Sequence, residues 1–415
     1  MAQFIDSIII GGGQAGLSMS QCLTQYSVEH LVIERGRVGE RWRSERWPSL
    51  RLLTPSWMTR LPSANLAGAD EGFLTTQDLV ARLEAYATSQ RVPLLENTEV
   101  ISVDLVADLY RVVTSGGTWI ARALVVATGA CDQPNVPAWA QEISSTIEQM
   151  TPNQYQTPDT IALGGVLVVG ASATGAQLAS EIARSGRKTM IAVGSHVRSP
   201  RQYRGRDIFE WLDASGFLAE APPANRSTAE LASQPSMQLV GTQAGSEIDI
   251  HSLAKLGVQP VGRVTQASGS QISLANNLIN ECEIAESRRH GLLRRVDAFI
   301  AQTGISAPED PQVWTAPDIP SDGPATLDLK AEGIGTVLWA TGFHRHYPWL
   351  DLPAFDSSGE IRHCGGISDL PGLYVLGLPS MRHRASTFID GVGRDAEALA
   401  PVVAAQLNQQ SFRAA

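Results

Sequence analysis

Two short segments of the chain have the glycine spacing of a phosphate-binding turn. The first contains Gly11, Gly13 and Gly16, and it lies between an apolar, β-branched run at 5–10 and a helix-compatible stretch at 16–26. In a strand–turn–helix unit the first glycine makes the turn, the second lets the backbone approach a pyrophosphate, and the third lets the helix pack on the strand. The N–H groups at the start of the helix then face the phosphates. This segment therefore predicts a dinucleotide-binding site.

An acidic residue occupies the position that contacts ribose in such units. Glu34 follows the second apolar run, at 31–33, and a carboxylate there can accept hydrogen bonds from an adenosine ribose. An ordinary tight turn is the alternative reading of the glycines alone, but strand, helix and Glu34 are all in register. The pattern predicts a dinucleotide without distinguishing FAD from NAD.

The second segment contains Gly170, Ser172 and Gly175 and follows another β-branched run at 166–169. Its middle position is a serine, which places a side chain where the backbone would approach phosphate. The next apolar run, at 189–193, is not followed by the acidic residue that would favour NAD, and polar or basic side chains come after it instead. They are Ser195, His196, Arg198, Arg201 and Arg204. Because arginine and hydroxyl donors suit the 2′-phosphate of NADP, we expect NADPH at this site, with a solvated basic loop as the alternative.

Composition restricts the class of protein and partner. A chain of 415 residues with 43% hydrophobic residues and 37 glycines is typical of a multi-domain α/β protein. Its formal net charge of −10 disfavours nucleic acid and anionic lipid, so a small-molecule substrate is expected. The four cysteines form no C-x-x-C pair, which argues against dithiol chemistry and against a metal site. No run approaches the ~20 apolar residues of a membrane span, so we expect a cytoplasmic protein, with a homodimer as the default assembly.

Further patterns place the two turns in a larger α/β fold. Thr75 and Asp78 have capping-box spacing for a helix that runs to about residue 87. Strands and turns are expected at 94–122. An apolar run ending in Ala-Thr-Gly occurs at 124–129 and again at 336–342.

The rest of the chain is less regular until the C-terminus. Residues 195–320 give a mixed signal, with a Pro- and Ser-rich loop or lid at 221–236. A buried strand is expected at 373–377 and a closing helix from about 394 to 407. Gly391 to Gly393 then lead into that helix, with Asp390 as a candidate cap.

Together these patterns predict an α/β protein with two Rossmann-type, three-layer ββα domains. Residues 1–158 form the first part of an FAD-binding domain, and 159–335 form an NADP-binding domain inserted into it. Residues 336–415 then complete the FAD-binding domain.

With Phe343 after the second Ala-Thr-Gly, the chain resembles the flavin-containing monooxygenase superfamily, and within it the compact bacterial and YUCCA-like members. Gly39 to Trp42 is similar to the family's Gly-Gly-x-Trp segment, and 52–62 and 372–393 also match. In that family the N-terminal fingerprint binds FAD and the inserted one binds NADPH. The resemblance and the motifs together give FAD-binding candidates, which are Gly11, Gly13, Gln14, Ala15, Gly16, Glu34, Arg35, Arg41, Trp42, Thr54, Val100, Ala127, Thr128, Gly129 and Asp390. The candidates for binding NADP or FAD are Gly170, Ser172, Ala173, Thr174, Gly175, Ser195, His196, Arg198, Arg201, Arg204, Ala340, Thr341 and Gly342.

The chain departs from the family pattern in one identifying stretch. Ile143, Ser145 and Thr151 stand where the family has Phe, Gly and His, while Tyr155 is kept. Glu40 also replaces a glycine. These differences leave two alternatives open: a reductase that passes electrons to a quinone or protein acceptor, and a non-catalytic flavin-binding sensor.

The resemblance implies a mechanism in which the cofactors perform the chemistry. NADPH reduces FAD, and reduced FAD reacts with dioxygen to give a flavin hydroperoxide that oxygenates nitrogen or sulfur in a small molecule, with Baeyer–Villiger oxygenation as the less favoured outcome. No catalytic side chain is therefore certain. The candidates near the expected flavin are Ser56, Trp57, Arg384 and Thr387. Packing is the alternative for Trp57, and a solvated basic turn is the alternative for Arg384.

Overall fold

The computed structural model describes residues 2–65, 72–223, 230, 234–242, 247–314 and 321–414. Its helices are α1 (Gln14–Gln25), α2 (Glu40–Ser44), α3 (Thr76–Ser89), α4 (Ala173–Arg184), α5 (Ile208–Ala214), α6 (Ile250–Lys255), α7 (Leu278–Thr303) and α8 (Ile389–Ala414). Its strands are β1 (Gln3–Ile10), β2 (His30–Ile33), β3 (Arg60–Leu61), β4 (Ala64–Asn65), β5 (Leu94–Leu95), β6 (Val100–Val106), β7 (Leu109–Thr114), β8 (Gly117–Val126), β9 (Gln133–Pro134), β10 (Glu148–Met150), β11 (Gly165–Val169), β12 (Thr189–Ala192), β13 (Val197–Arg198), β14 (Gln202–Tyr203), β15 (Arg206–Asp207), β16 (Met237–Gln238), β17 (Gln259–Val261), β18 (Val264–Ser268), β19 (Gln271–Leu274), β20 (Thr326–Asp328), β21 (Ile334–Trp339), β22 (Phe343–His344), β23 (His363–Cys364), β24 (Ile367–Ser368) and β25 (Leu373–Val375). Short 3₁₀ turns lie at Ser56–Met58, Ala138–Glu142, Pro158–Thr160, Phe217–Ala219 and Pro311–Trp314.

The first glycine turn follows strand β1 of the first sheet. Its strand order is β23-β24-β25-β8-β1-β2-β5, and the β6–β7 hairpin joins it through β8. Strand β1 pairs in parallel with β2 and β8, and β25 pairs in parallel with β8. The last four residues of β1 are all buried, as expected for a parallel strand covered on both faces. Helices α1 and α8 pack against each other beside this sheet.

The second sheet contains the second glycine turn. Its order is β10-β21-β11-β12-β17, and every pairing in it is parallel. Helix α4 packs on β11 and β12 through a face that buries Leu178, Ala179 and Ile182. The mixed α/β class with parallel sheets is thereby confirmed.

The second sheet extends beyond the predicted range of 159–335. It begins at Glu148 in β10 and ends at Trp339 in β21. The predicted boundary at 335/336 therefore falls inside a strand. Strand β10 has only three residues, Glu-Gln-Met, and such a short segment carries no apolar run from which a strand could be predicted.

Most other predicted elements are present, with one shifted start. The capping box of Thr75 and Asp78 is formed at the start of α3, and the strand expected at 373–377 is β25. The closing helix begins at Ile389, five residues before the predicted start, so Gly391 and Gly393 lie inside it. Close packing overrides the weak helix propensity of glycine here: a Cβ on Gly391 would lie 1.9 Å from the carbonyl oxygen of Ala385 in the preceding turn, and a Cβ on Gly393 would lie 3.0 Å from Cδ of Pro62.

Part of the predicted loop or lid at 221–236 lies outside the described residues, namely 224–229 and 231–233. Within the part of the chain that is described, no helix is both long and apolar enough to cross a bilayer.

Gly291 offers a test of the helix assignment in the second half of the chain. It lies inside α7, and a Cβ there would have no heavy atom within 4 Å. Gly291→Ala should therefore stabilise the protein by about 0.5–1 kcal/mol, because alanine loses less backbone entropy in a helix. Urea unfolding measures this change, and a loss of stability would contradict the position of α7.

Candidate functional site

One cavity of about 620 Å³ is lined by residues from both glycine turns. Gly11, Gly13 and Ala15 line it from the first turn and α1. Ala173 and Thr174 line it from the start of α4. The two units that the sequence predicts as nucleotide sites therefore open onto the same space.

The first turn can be built only with glycine at two positions. Gly11 has φ +116°, and a Cβ there would lie 2.5 Å from the carbonyl oxygen of Ala127. A Cβ on Gly16 would lie 1.9 Å from the carbonyl oxygen of Gly11. At Gly13, by contrast, a Cβ would have no heavy atom within 4 Å, so open space lies before the N-terminus of α1. This is the arrangement that a pyrophosphate requires.

The second turn repeats this construction closely. Gly170 has φ +107°, and a Cβ there would lie 2.4 Å from the carbonyl oxygen of Ala340. A Cβ on Gly175 would lie 1.8 Å from the carbonyl oxygen of Gly170. The two Ala-Thr-Gly segments thus have the same role, since Ala127 and Ala340 each pack on the first glycine of a turn.

Helices α1 and α4 share a further property at their N-termini. Neither has an acidic residue in its first turn, and neither N-cap residue, Gly13 or Ser172, makes a side-chain capping hydrogen bond. Acidic residues often occupy this position because their negative charge interacts favourably with the helix dipole. Their absence from α1 and α4 leaves the positive end of each helix available to an anion.

Glu34 faces the cavity and is fixed by backbone donors. Its Oε2 accepts a hydrogen bond from Gly12 N at 2.6 Å, and its Oε1 accepts one from Gly36 N at 2.9 Å. These contacts hold the carboxylate at the rim of the first turn, where ribose is expected.

The Gly39 to Trp42 segment forms one wall of the cavity. Trp42 Nε1 donates to Oε1 of Gln14 at 3.2 Å. Arg41 donates to the Asp132 carboxylate and to the Cys131 carbonyl oxygen. Arg35 lines the cavity at its exposed side. These contacts position the predicted residues around one space.

A segment at 47–53 connects the first unit to the core of the second. Trp47 is buried and meets Tyr155 edge-on, with ring centroids 6.5 Å apart. The Tyr155 hydroxyl donates to Glu181 Oε1 on α4 at 3.0 Å. Leu50, Leu52 and Trp47 also line the cavity. Tyr155, which the chain shares with the family's identifying stretch, thus packs the wall of the site.

The described structure places the other FAD candidates unevenly. Besides the residues above, Val100, Ala127, Thr128 and Gly129 line the cavity, whereas Gly16 does not. Thr54 does not line it, although its neighbours Leu52 and Leu53 do. Asp390 lies in the first turn of α8 and is bound by the Arg60 guanidinium, with Nη2 2.8 Å from Oδ2.

Only one of the four catalytic candidates lines the cavity, and it is Thr387. Ser56 is buried, and its hydroxyl donates to the Gly72 carbonyl oxygen at 2.9 Å. The Trp57 ring lies under the Arg60 guanidinium, 5.7 Å away. Arg384 Nε donates to Glu220 at 3.0 Å. The roles of all four remain predictions, and the geometry favours Thr387 over the others.

The three candidate arginines after β12, which are Arg198, Arg201 and Arg204, are held by carboxylates. Arg198 Nε lies 2.6 Å from Asp249 Oδ2, and the same guanidinium contacts Glu286. Burial would raise the pKa of Asp249, but the Arg198 charge and the Ser252 hydrogen bonds hold that pKa below its usual value. Each carboxylate partner is either distant from its arginine in the sequence or separated from it by a turn. The sequence pattern therefore did not predict these ion pairs.

The other two arginines are similarly engaged. Arg201 is 1% exposed, lies 2.6 Å from Asp207 and donates to the Leu53 carbonyl oxygen at 2.7 Å. Arg204 lies 2.9 Å from Asp297. The geometry therefore argues against these arginines as ligands of a 2′-phosphate, and that prediction stays untested.

The two polar residues just after β12, Ser195 and His196, differ in whether they could contact a ligand. His196 is buried, and its Nδ1 lies 2.9 Å from the Gly194 carbonyl oxygen. Burial lowers the pKa of His196, so the imidazole is neutral near pH 7. The Ser195 hydroxyl instead lies 3.3 Å from Nη1 of Arg288, a residue that belongs to none of the predicted motifs.

Arg198 provides a test of its structural role. Arg198→Ala should lower the free energy of unfolding by about 3 kcal/mol, because it leaves the buried Asp249 carboxylate without its charge partner. The KM for NADPH should stay within about twofold of the wild-type value, because removing a charge that does not contact NADPH changes its binding only weakly. Urea unfolding and steady-state kinetics measure the two quantities. An unchanged stability with a strongly raised KM would instead support the original prediction.

Sequence reasoning missed several lining residues. Arg46 and Arg51 follow no predicted strand end, and Trp349 comes from a C-terminal loop. Only three-dimensional proximity brings them to the cavity.

The four cysteines are all free; Cys131 lines the cavity, and burial raises the pKa of Cys22 to about 12.

Comparison with known proteins gives a consistent family. The profile described as "Pyridine nucleotide-disulphide oxidoreductase" matches residues 8–212, which include both glycine turns. An uncharacterised CzcO-like oxidoreductase of Geobacillus kaustophilus is 30% identical over 402 residues, covering 96% of this chain and 98% of that protein. The indole-3-pyruvate monooxygenase YUCCA1 of Oryza sativa is 30% identical over 208 residues, covering 49% and 51% of the two chains.

Solved structures share the fold over nearly the whole chain. The flavin-containing monooxygenase of Stenotrophomonas maltophilia has a TM-score of 0.65 at 18% identity and covers 97% of this chain and 99% of its own. The bacillithiol disulfide reductase of Staphylococcus aureus has a TM-score of 0.59 at 13% identity, with coverage of 97% and 99%. The full-length sequence relative shows the family: the chain is an oxidoreductase that belongs with the CzcO-like oxidoreductases, and over about half of its length it is also similar to a flavin monooxygenase of the YUCCA type.

Proposed function

We propose that this enzyme uses NADPH and FAD to oxygenate a small molecule, with nitrogen and sulfur as the favoured sites. In the overall reaction, substrate, dioxygen, NADPH and a proton give oxygenated substrate, NADP⁺ and water. The observation that carries the proposal is the shared cavity, because residues of both glycine-turn units line it, and an enzyme that passes electrons from NADPH to FAD needs its two cofactor sites to open onto one space.

The residues present fit the two cofactors. The first turn and Glu34 would hold the pyrophosphate and ribose of FAD, and the second turn would hold the pyrophosphate of NADPH. Each helix start offers backbone N–H groups without a side-chain cap, and its first turn has no acidic residue. Bound FAD supplies electron transfer and activation of dioxygen, with NADPH as the source of the electrons.

The chain's own contribution is to position these groups and to exclude water. Trp47, Leu50 and Leu52 give the cavity an apolar wall. Such a wall limits the entry of water, which would otherwise favour loss of the electrons as hydrogen peroxide. Amines and sulfides need no side-chain base to react, and this agrees with a lining in which Thr387 is the one predicted catalytic residue.

The sheets support a division into two Rossmann-type domains. The first sheet combines strands from both ends of the chain, and the second uses strands from Glu148 to Trp339. We therefore place the inserted NADP-binding domain at 148–339 and the FAD-binding domain on either side of it.

A reductase is the second candidate function. The shared cavity supports it as well as it supports a monooxygenase, because both would begin with reduction of FAD by NADPH. A dithiol version of it is disfavoured because the free cysteines are dispersed and Cys131 is the one that lines the cavity. A quinone or protein acceptor would still be compatible with this site.

Labelled dioxygen separates these functions. The FAD-loaded protein is supplied with NADPH, ¹⁸O₂ and a panel of amines and thioethers, and products are analysed by mass spectrometry. The proposal predicts one ¹⁸O atom in the product per NADPH oxidised. Complete conversion of the electrons to hydrogen peroxide with every substrate, together with fast quinone reduction, would identify a reductase. No oxidation of NADPH at all would identify a flavin-binding sensor.

A further inference from the structure

The chain just after β12 lies where a dinucleotide at the second turn would place its adenosine ribose. In a strand–turn–helix–strand unit, the end of the second strand contacts this ribose and decides between NAD and NADP. The residues here are Gly194, Ser195 and His196, so the position carries no carboxylate. Any positive charge must come from elsewhere in the fold, because His196 is buried and neutral near pH 7.

Arg263, in the loop between β17 and β18, covers this position from one side. Its Nε, Nη2 and Cζ atoms would lie 3.1, 3.3 and 3.5 Å from a Cβ on Gly194. The guanidinium thus rests on the glycine backbone, and any side chain at residue 194 would displace it. The Arg263 side chain is 52% exposed, and its Nη2 lies 3.1 Å from Oε1 of Glu281.

Arg288, on helix α7, reaches the same position from another side. Its Nη1 lies 3.3 Å from the Ser195 hydroxyl oxygen and 3.3 Å from the His196 carbonyl oxygen. The residue is exposed, and no carboxylate oxygen of the described residues is recorded within 4.0 Å of its guanidinium. Arg288 therefore has donors available that Arg198, Arg201 and Arg204 have already committed to carboxylates.

We propose that Arg288, with Arg263 and the Ser195 hydroxyl, binds the 2′-phosphate of NADPH and so sets the coenzyme preference of the enzyme. Two guanidiniums and one carboxylate, Glu281, leave a net charge of +1 at this corner. A phosphate monoester is the anion that such a corner suits, since guanidinium donors bind its oxygens strongly and hydroxyls add a neutral donor. This inference rests on the proposed function in placing a nicotinamide dinucleotide at the second turn.

The test uses two adenosine fragments that differ at the 2′ position. Isothermal titration calorimetry of the FAD-loaded protein measures the dissociation constants of 2′,5′-ADP and of 5′-AMP. The wild-type protein should bind 2′,5′-ADP more tightly, by on the order of a hundredfold for two guanidinium contacts. Equal affinity for the two fragments would overturn the proposal.

Variants then assign the preference to residues. Arg288→Ala should weaken 2′,5′-ADP binding on the order of tenfold and leave 5′-AMP binding unchanged, because one charged hydrogen-bonding group is removed. Arg288→Lys should recover part of the loss. Arg294→Ala is the matched control, since Arg294 is also an exposed arginine of α7 and the sequence places it almost two turns away. An equal loss of both fragments in Arg288→Ala would show a purely structural role and contradict the proposal.

The coenzyme-site proposal and the proposed function can fail independently. If 2′,5′-ADP binds as expected and no oxygenated product forms, the coenzyme site stands and the oxygenation proposal fails. If oxygenation occurs equally with NADH and NADPH and the fragments bind equally, the coenzyme site fails alone.

Discussion

The Gly13→Asp protein is expected to fold normally and to purify without bound flavin. Gly13 is the N-cap of α1, with an extended backbone at φ −87° and open space where a side chain would go. Aspartate is a favoured N-cap, so folding stability should stay the same or rise by a few tenths of a kcal/mol, about the usual gain over glycine. The new carboxylate would, however, face the FAD pyrophosphate. At about 4 Å and an effective dielectric constant of about 20, one such pair costs about 4 kcal/mol, or roughly a thousandfold in affinity.

Flavin content and thermal unfolding are the two measurements for this variant. Gly13→Ser is the control, because the second turn carries a serine at the same position, and it should retain flavin. A Gly13→Asp protein that is yellow and binds FAD as tightly as wild type would show that α1 does not face the flavin phosphates.

The corresponding change in the second turn should separate the two cofactors. Ser172→Asp is expected to keep FAD and to lose reduction by NADPH. Ser172 is the N-cap of α4 and makes no side-chain capping bond, so aspartate should again be tolerated by the fold. Repulsion between its carboxylate and the NADPH pyrophosphate should raise the KM for NADPH by at least about a hundredfold.

Rapid-mixing kinetics of flavin reduction, with flavin content as the check on folding, measure this effect. Ser172→Gly restores the usual glycine of the motif and should reduce at least as fast as wild type. Unimpaired reduction in Ser172→Asp would place NADPH away from the second turn. Loss of FAD in the same variant would mean that the two turns are not independent sites.

The two glycine turns could be predicted because their requirements are local. Gly11 and Gly170 are fixed by a positive φ, and Gly16 and Gly175 are fixed by the carbonyl oxygens of Gly11 and Gly170, five residues earlier, so both constraints appear as glycine in the sequence. The repeated Ala-Thr-Gly segments were predictive for the same reason, since Ala127 and Ala340 occupy matching positions in the two units.

The ion pairs near the second turn could not be predicted in the same way. Arg198 and Arg201 have the right type and position, but Asp249 and Asp207 neutralise them in the folded chain. Arg288 is far along the chain from Ser195, and only the packing of α7 brings it there. Charge pairing depends on tertiary contacts, which spacing along the sequence does not encode.

The start of the last helix shows a related limit. The glycines at 391 and 393 favour an interruption on propensity, yet the close approach of Ala385 to Gly391 requires glycine within the helix. Helix propensity and close packing by the preceding turn conflicted there, and packing determined the result.

Anaerobic mixing of the FAD-loaded protein with NADPH tests the central claim most directly, since that claim is that both glycine turns serve one cavity. The visible absorbance of oxidised flavin should disappear, with one NADPH consumed per FAD. A flavin that stays oxidised in the presence of excess NADPH, in protein that is folded and fully loaded with FAD, would contradict the account.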